Sequence, residues 1–134
     1  MSQNVTNETI WKYNGIELEL DLGDASVAER YEDAFKRLSM NEKLVKKDVS
    51  NAEFIRQYCK LYSNLFDDLF GAGTYEKLSG GKTQNINVAH AVYESFLDFG
   101  NKQVKVVIEN QNRYLGKYSP NRAQRRAAAK NGKT

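Results

Sequence analysis

The sequence predicts a mainly helical α+β fold, with an N-terminal β-hairpin and three principal helices at about 24–38, 50–70 and 87–118. Two observations carry this prediction. A turn-forming Asn-Gly pair precedes alternating apolar residues near the N-terminus, and apolar residues then recur at helical spacing in three separate segments. At 134 residues, with 40% hydrophobic and 28% charged residues, the chain suits one globular domain, 1–118, followed by a basic tail, 119–134.

The predicted hairpin spans residues 9–22. Asn14-Gly15 is the pair most favoured in a two-residue type I′ turn, and the residues after it alternate between apolar and acidic. Because an isolated hairpin is marginal in water, we expect it to lie on the helices or to gain strands from another chain. Turn and alternation agree on one register, which pairs Tyr13 with Ile16 and Trp11 with Leu18.

The segment 50–70 is predicted to be the central helix. It opens with a capping box formed by Ser50 and Glu53. Its apolar arc is wider than that of an ordinary surface helix, so we expect it to pack against more than one neighbour. The arc contains Phe54, Ile55, Tyr58, Leu61, Tyr62, Leu65, Phe66 and Leu69.

The helices on either side are predicted from similar patterns. Ser26 and Glu29 form a candidate capping box for the first helix, and Asn87 is the expected cap of the third. The apolar residues of the third helix keep the same helical spacing before and after Gly100, which favours one long helix over two separate helices and leaves Gly100 as the position where a kink could form. From about Gln103 its apolar face becomes more polar, and we expect this half to project and meet a partner.

Residues 71–85 read as a glycine-rich loop with a turn of helix at 75–78. Within it, the sequence GGKT at 80–83 resembles the end of a phosphate-binding loop. That motif needs a glycine where this chain has Glu76, and it follows a strand, whereas here a helix is predicted before it. We therefore interpret the segment as a flexible connection.

No other residue pattern predicts a catalytic, cofactor or metal site, so we do not expect an enzyme. His90 is the single histidine and lies on the edge of a polar helical face, where a solvated role is expected. Cys59 lies at the margin of the apolar arc, which favours a buried small hydrophobe over a nucleophile. The Asp67-Asp68 pair suits a solvated face near a helix end.

Charge divides the chain into an acidic body and a basic end. All 17 acidic residues lie at or before Glu109, whereas seven of the 20 basic residues follow it. The tail segment NRAQRRAAAK favours helix but has no large apolar residue, so we expect it to be partly disordered alone. Arg122, Arg125 and Arg126 share one helical face.

Three uses of this tail stay open: binding a protein partner, solubilising the chain end, and contacting nucleic-acid phosphates. We favour the protein partner. The acidic body and the lack of aromatic residues between the arginines argue against nucleic acid as the main partner.

Two long segments resemble the small tail assembly chaperones of long-tailed bacteriophages and prophages of Gram-positive bacteria. They are YNGIELELDLGDASVAERYEDAF at 13–35 and LFGAGTYEKLSGGKTQNINVAHAVYESFLDF at 69–99. The closing NRAQRRAAAK, residues 121–130, is similar to the basic ends of such proteins. The resemblance covers most of the chain and contains no catalytic signature.

The resemblance implies a non-catalytic protein of the bacterial host cytoplasm that coats the helical tape-measure protein and helps tail-tube subunits polymerise around it. It also implies self-association and absence from the finished virion. The N-terminus shows no signal peptide, and no apolar run reaches the length of a membrane span.

The resemblance supplies no binding motif, so the expected partner-binding residues come from exposure and charge. They are Tyr114, Tyr118, Arg122, Arg125 and Arg126. Two alternatives remain: a small nucleic-acid-binding regulator that uses the basic tail, and a virion tail-completion protein.

Overall fold

The structure is a computed structural model that describes residues 9–118. Within this range an antiparallel hairpin of β1 (Ile10–Tyr13) and β2 (Ile16–Glu19) precedes the helices. The fold is mainly helical with an N-terminal hairpin, which confirms the predicted fold class. The helices are α1 (Ala25–Glu42), α2 (Asn51–Phe70), the short α3 (Thr74–Leu78) and α4 (Ile86–Tyr118).

The hairpin has the predicted turn and register. Asn14 and Gly15 both have positive φ, at 53° and 76°, as a type I′ turn requires. Tyr13 pairs with Ile16, and Trp11 pairs with Leu18. The second strand ends at Glu19, before the predicted end at residue 22, but Leu20 and Leu22 remain buried. The alternation of apolar residues therefore continues past the last paired residue of the strand, because it follows burial and not strand pairing.

Trp11 fastens the hairpin to the helices. Its side chain is 3% exposed, and its ring lies 5.6 Å from Phe66, 6.1 Å from Phe70 and 5.0 Å from Phe96. The indole Nε1 donates a hydrogen bond to Ser95 Oγ at 3.1 Å. The apolar body of the indole is thus desolvated among aromatic rings while its polar atom finds a partner, which is the arrangement that stabilises a buried tryptophan.

Helix α2 is central, as predicted. The hydroxyl oxygen of Ser50 accepts a hydrogen bond from the backbone N–H of Glu53 at 3.1 Å and caps the helix. The helix contacts α1, α3 and α4, which explains its wide apolar arc. Each large side chain buried there contributes roughly 1.5–3 kcal/mol of hydrophobic stabilisation. Its buried residues are Cys59, Leu61, Leu65, Phe66 and Leu69.

Helix α1 begins where it was predicted, but two predicted capping residues, Ser26 and Asn87, were wrong by two residues each. Asp24, rather than Ser26, caps α1, and its Oδ1 accepts hydrogen bonds from the backbone N–H groups of Ser26 at 2.9 Å and Val27 at 3.3 Å. Asn85, rather than Asn87, caps α4 by accepting from the N–H of Val88 at 3.1 Å. In both cases an Asp or Asn two residues earlier in the sequence accepts the hydrogen bonds from the free N–H groups at the start of the helix.

Helix α1 also extends past its predicted end at Leu38 to Glu42. No glycine or proline interrupts residues 39–42, so nothing local stops the helix. The Tyr58 hydroxyl donates a hydrogen bond to the Glu42 carboxylate at 3.3 Å and ties this last turn to α2.

The loop at 71–85 contributes to the core, which the sequence analysis did not predict. Helix α3 forms where a turn of helix was expected, and its Tyr75 and Leu78 are 0% and 1% exposed. The Asp67 carboxylate accepts a hydrogen bond from the N–H of Tyr75 at 3.0 Å, and the Asn14 side chain donates to the carbonyl of Leu78 at 3.3 Å. The hairpin turn and α2 therefore hold this segment from two sides.

Helix α4 runs unbroken through Gly100, as predicted. Helix α1 lies antiparallel to it: Phe35 contacts Tyr93, Tyr31 contacts Phe96, and the Tyr31 hydroxyl approaches Gly100. A Cβ atom built on Gly100 would lie 2.7 Å from that hydroxyl oxygen. Any larger residue at position 100 must therefore displace the end of the Tyr31 side chain.

We expect Gly100→Ala to stabilise the protein more in a Tyr31→Phe background than in the wild type. Alanine favours the helix interior by about 1 kcal/mol over glycine, but in the wild type its methyl group displaces the tyrosine hydroxyl. Urea unfolding of the four proteins of this double-mutant cycle measures the difference. Equal effects of Gly100→Ala in both backgrounds would show that the hydroxyl contact is not the constraint.

We expect the free energy of unfolding to fall as the pH rises from about 10 to 12. Burial raises the pKa of Tyr62 from 10.0 to about 12 and raises the pKa of Tyr75 as well. The unfolded chain therefore loses these protons first, so stability that is complete below pH 10 is lost above it. Denaturant unfolding at stepped pH measures this, and the double variant Tyr62→Phe/Tyr75→Phe should show a shallower decline. An unchanged decline would contradict the assignment to these tyrosines.

Candidate partner-binding surface

The C-terminal half of α4 carries an apolar stripe that leaves the core. Val104 is 36% exposed, Ile108 50%, Tyr114 53% and Leu115 47%, and Val107 between them is partly buried. The other four positions lie three, four, ten and eleven residues after Val104, so all five lie on one side of the helix. The far half of this helix, which was predicted to meet a partner, thus exposes an apolar surface.

The stripe forms one wall of a groove, and the chain near the start of α1 forms the other. One cavity of about 250 Å³ lies between Ala28 and Tyr31 of α1 and Val104 and Ile108 of α4. A second cavity of about 510 Å³ adjoins it, because both are lined by Val107 and Gln111. We call their combined lining the distal groove: Leu22, Gly23, Ala28, Tyr31, Glu32, Val104, Val107, Ile108, Asn110, Gln111, Tyr114 and Leu115.

Gln103 positions the wall that is opposite the stripe. Its side chain is 4% exposed, and its Oε1 accepts a hydrogen bond from the backbone N–H of Leu22. The apolar face does become more polar at Gln103, but this amide is itself buried as the anchor of the chain that leaves the hairpin. The anchor brings the Leu22–Gly23 segment onto α4 and so closes one side of the distal groove.

The predicted partner-binding residues fall partly on this surface. Tyr114 lines the groove and is half exposed. Tyr118 is the last residue of α4, and its side chain lies outside the described part of the structure. Arg122, Arg125 and Arg126 lie outside the described residues. Their role in binding stays a prediction.

Sequence reasoning missed several members of the surface. Val104, Ile108 and Leu115 were not among the expected partner-binding residues, although they follow one another at helical spacing. This spacing was a usable signal. The contribution of Leu22 and Gly23 carried no such signal, because Leu22 precedes its partner Gln103 by 81 positions in the sequence.

The residues that the sequence analysis weighed as possible chemical sites, Cys59, His90 and Asp68, have surroundings that suit structural roles. Cys59 is 1% exposed, and burial raises the pKa of its thiol, which confirms a buried small hydrophobe. His90 is exposed beside Tyr62, as expected. Asp68 pairs with Arg37 at 3.1 Å. Among residues 9–118, no group of three His, Cys, Asp or Glu side chains is placed to hold a metal ion.

A second exposed apolar pair lies near the other end of α1. Met40 is 59% exposed and Leu44 is 74% exposed. Neither residue lines the distal groove. Leu44 therefore provides a control position for substitutions in the groove, because it is equally apolar and even more exposed.

Comparison with known proteins places the chain in a family. A family model described as a family of unknown function, DUF6673, matches residues 14–129. The chain belongs to this family. The matched range includes the hairpin turn, all four helices and the distal groove. Neither a curated protein nor a solved structure matches the chain. Within the described residues, no helix combines the length and the apolar character that a membrane span needs.

Proposed function

We propose that this DUF6673 protein is a non-catalytic phage tail assembly chaperone that binds the tape-measure protein through the distal groove. It assists the polymerisation of tail-tube subunits around that client, self-associates, acts in the cytoplasm of the bacterial host and leaves before the virion is complete. Two facts support the proposal: the resemblance of segments 13–35 and 69–99 to such chaperones, and the exposed apolar stripe on α4.

The exposed stripe is the observation that carries the proposal. A chaperone for a long helical client needs an apolar surface that is open in the free protein, and a groove between two helices is a common binding site for an amphipathic helix. Ile108 and Leu115 offer about half of their surface to such a helix, and Tyr114 adds an aromatic side chain of the kind that often dominates binding energy.

The polar members of the groove fit the same role. Asn110 and Gln111 line it beside Tyr114, so amide groups are available to hydrogen-bond a partner at the edge of the apolar contact. Small differences in the client sequence are tolerated by such a lining, because its apolar contacts are not directional.

The test is co-expression with the tape-measure protein of the same phage or prophage, followed by size-exclusion chromatography with light scattering. We expect the wild-type chain to form a soluble complex with the client. The double variant Ile108→Ser/Leu115→Ser should weaken this complex by about tenfold or more, because it removes the apolar contacts at the centre of the surface. Thermal unfolding should change little, since both side chains are half exposed.

The matched control is Leu44→Ser, which makes the same kind of change at a more exposed site outside the groove and should leave the complex intact. A chain ending at Tyr118 tests separately whether Arg122, Arg125 and Arg126 take part. A client that aggregates regardless of this protein contradicts the proposal. Recovery of the protein in purified particles would favour a tail-completion subunit, and steeply salt-dependent binding to nucleic acid would favour a regulator.

A further inference from the structure

The charge of the distal groove restricts the kind of helix that fits it. Of the described residues that line the groove, only Glu32 carries a charge; the others are apolar, aromatic, amide or glycine. Glu32 is exposed, and none of the ion pairs among residues 9–118 involves it. It is therefore an unneutralised carboxylate at the border of an apolar contact surface.

Two further carboxylates flank the Leu22–Gly23 segment of the groove wall. Asp21 and Asp24 are both exposed, and hydrogen bonds from the Ser26 hydroxyl and from the N–H groups of Val27 and Ser26 hold the pKa of Asp24 below its usual value. Arg30 shares a different cavity with these two aspartates and partly offsets the charge of Asp24. Since Arg30 does not line the distal groove, Glu32 is the one charged residue among the described residues of its lining.

The position of Glu32 defines where that meeting occurs. It lies on α1 one turn after Ala28, and both residues face Val104 and Ile108 across the groove. A helix that packs its apolar side onto Ile108 and Leu115 has its flank beside α1, where the carboxylate of Glu32 is exposed. A cationic side chain on that flank gains an ion pair, and an anionic one meets repulsion at the edge of a partly desolvated surface.

We propose that the distal groove binds an amphipathic helix that carries a lysine or arginine beside its apolar stripe, and that Glu32 selects this charge. The inference rests on the proposed function and specifies the client segment: an apolar repeat at three- and four-residue spacing with a basic flank. The apolar contacts supply most of the affinity, while Glu32 supplies discrimination between helices of similar shape.

The test uses the full chain and two synthetic helical peptides as probes. The peptides share one apolar repeat and differ only in having Lys or Glu at the flanking positions, and fluorescence anisotropy measures their Kd. We expect the Lys peptide to bind about fivefold to tenfold more tightly, with a preference that shrinks as salt rises. Glu32→Lys should reverse the preference. Equal binding of the two peptides to the wild type would overturn the proposal.

Glu29→Lys provides the matched control. Glu29 is an exposed glutamate on the same helix, one turn before Glu32, but it does not line the groove. This variant changes the net charge as Glu32→Lys does and should keep the preference for the Lys peptide. If both variants reverse the preference equally, the effect comes from the overall charge of the protein and the assignment to Glu32 is wrong.

The peptide-binding test and the co-expression test can fail independently of each other. If the co-expression complex forms and depends on Ile108 and Leu115 while the peptides bind equally, the groove is the client site and only its charge selection fails. If the Lys peptide is preferred but no complex forms with the tape-measure protein, the groove binds basic amphipathic helices and the client assignment fails.

Discussion

The packing of Trp11 among Phe66, Phe70 and Phe96 is the interaction on which the rest of the structure depends. A two-stranded hairpin is marginally stable by itself, so this one is held by the apolar surface that its helices bury. The hydrogen bond from the indole to Ser95 removes the cost of burying a donor and sets the orientation of the ring. Hairpin, α2 and α4 thereby become one folding unit.

The distal groove follows from that attachment. Once β1 is fixed on α2 and α4, the chain leaving β2 runs along α4, where Leu22 donates its N–H to Gln103. Helix α1 then starts from the Asp24 cap and returns antiparallel to α4, with Tyr31 pressed against Gly100. Because α4 continues beyond the start of α1, the apolar stripe at Ile108 and Leu115 stays partly uncovered. The proposed binding surface is thus a consequence of helix lengths and of one hairpin contact.

The candidate site was predictable only in part. The helical spacing identified the far half of α4 and one of its exposed aromatic residues, Tyr114, because both depend on residues close together in the sequence. The opposite wall was not predictable, since it joins Leu22 and Glu32 to residues some seventy or eighty positions later. The charge of the groove was not predictable for the same reason. In the sequence Glu32 is one of many acidic residues on polar helical faces, and only the packing of α1 against α4 places it beside Ile108.

The sequence by itself determined the hairpin turn, its register and the three principal helices. Turn chemistry, alternation and the three-to-four-residue period act over a few neighbouring residues, so no tertiary contact is needed to read them. The tertiary structure alone decided that Tyr75 is buried, that Gln103 anchors the hairpin exit and that the Tyr31 hydroxyl lies against Gly100. Each of these depends on a partner distant in the sequence, and burial and close approach are set by which segments meet in space.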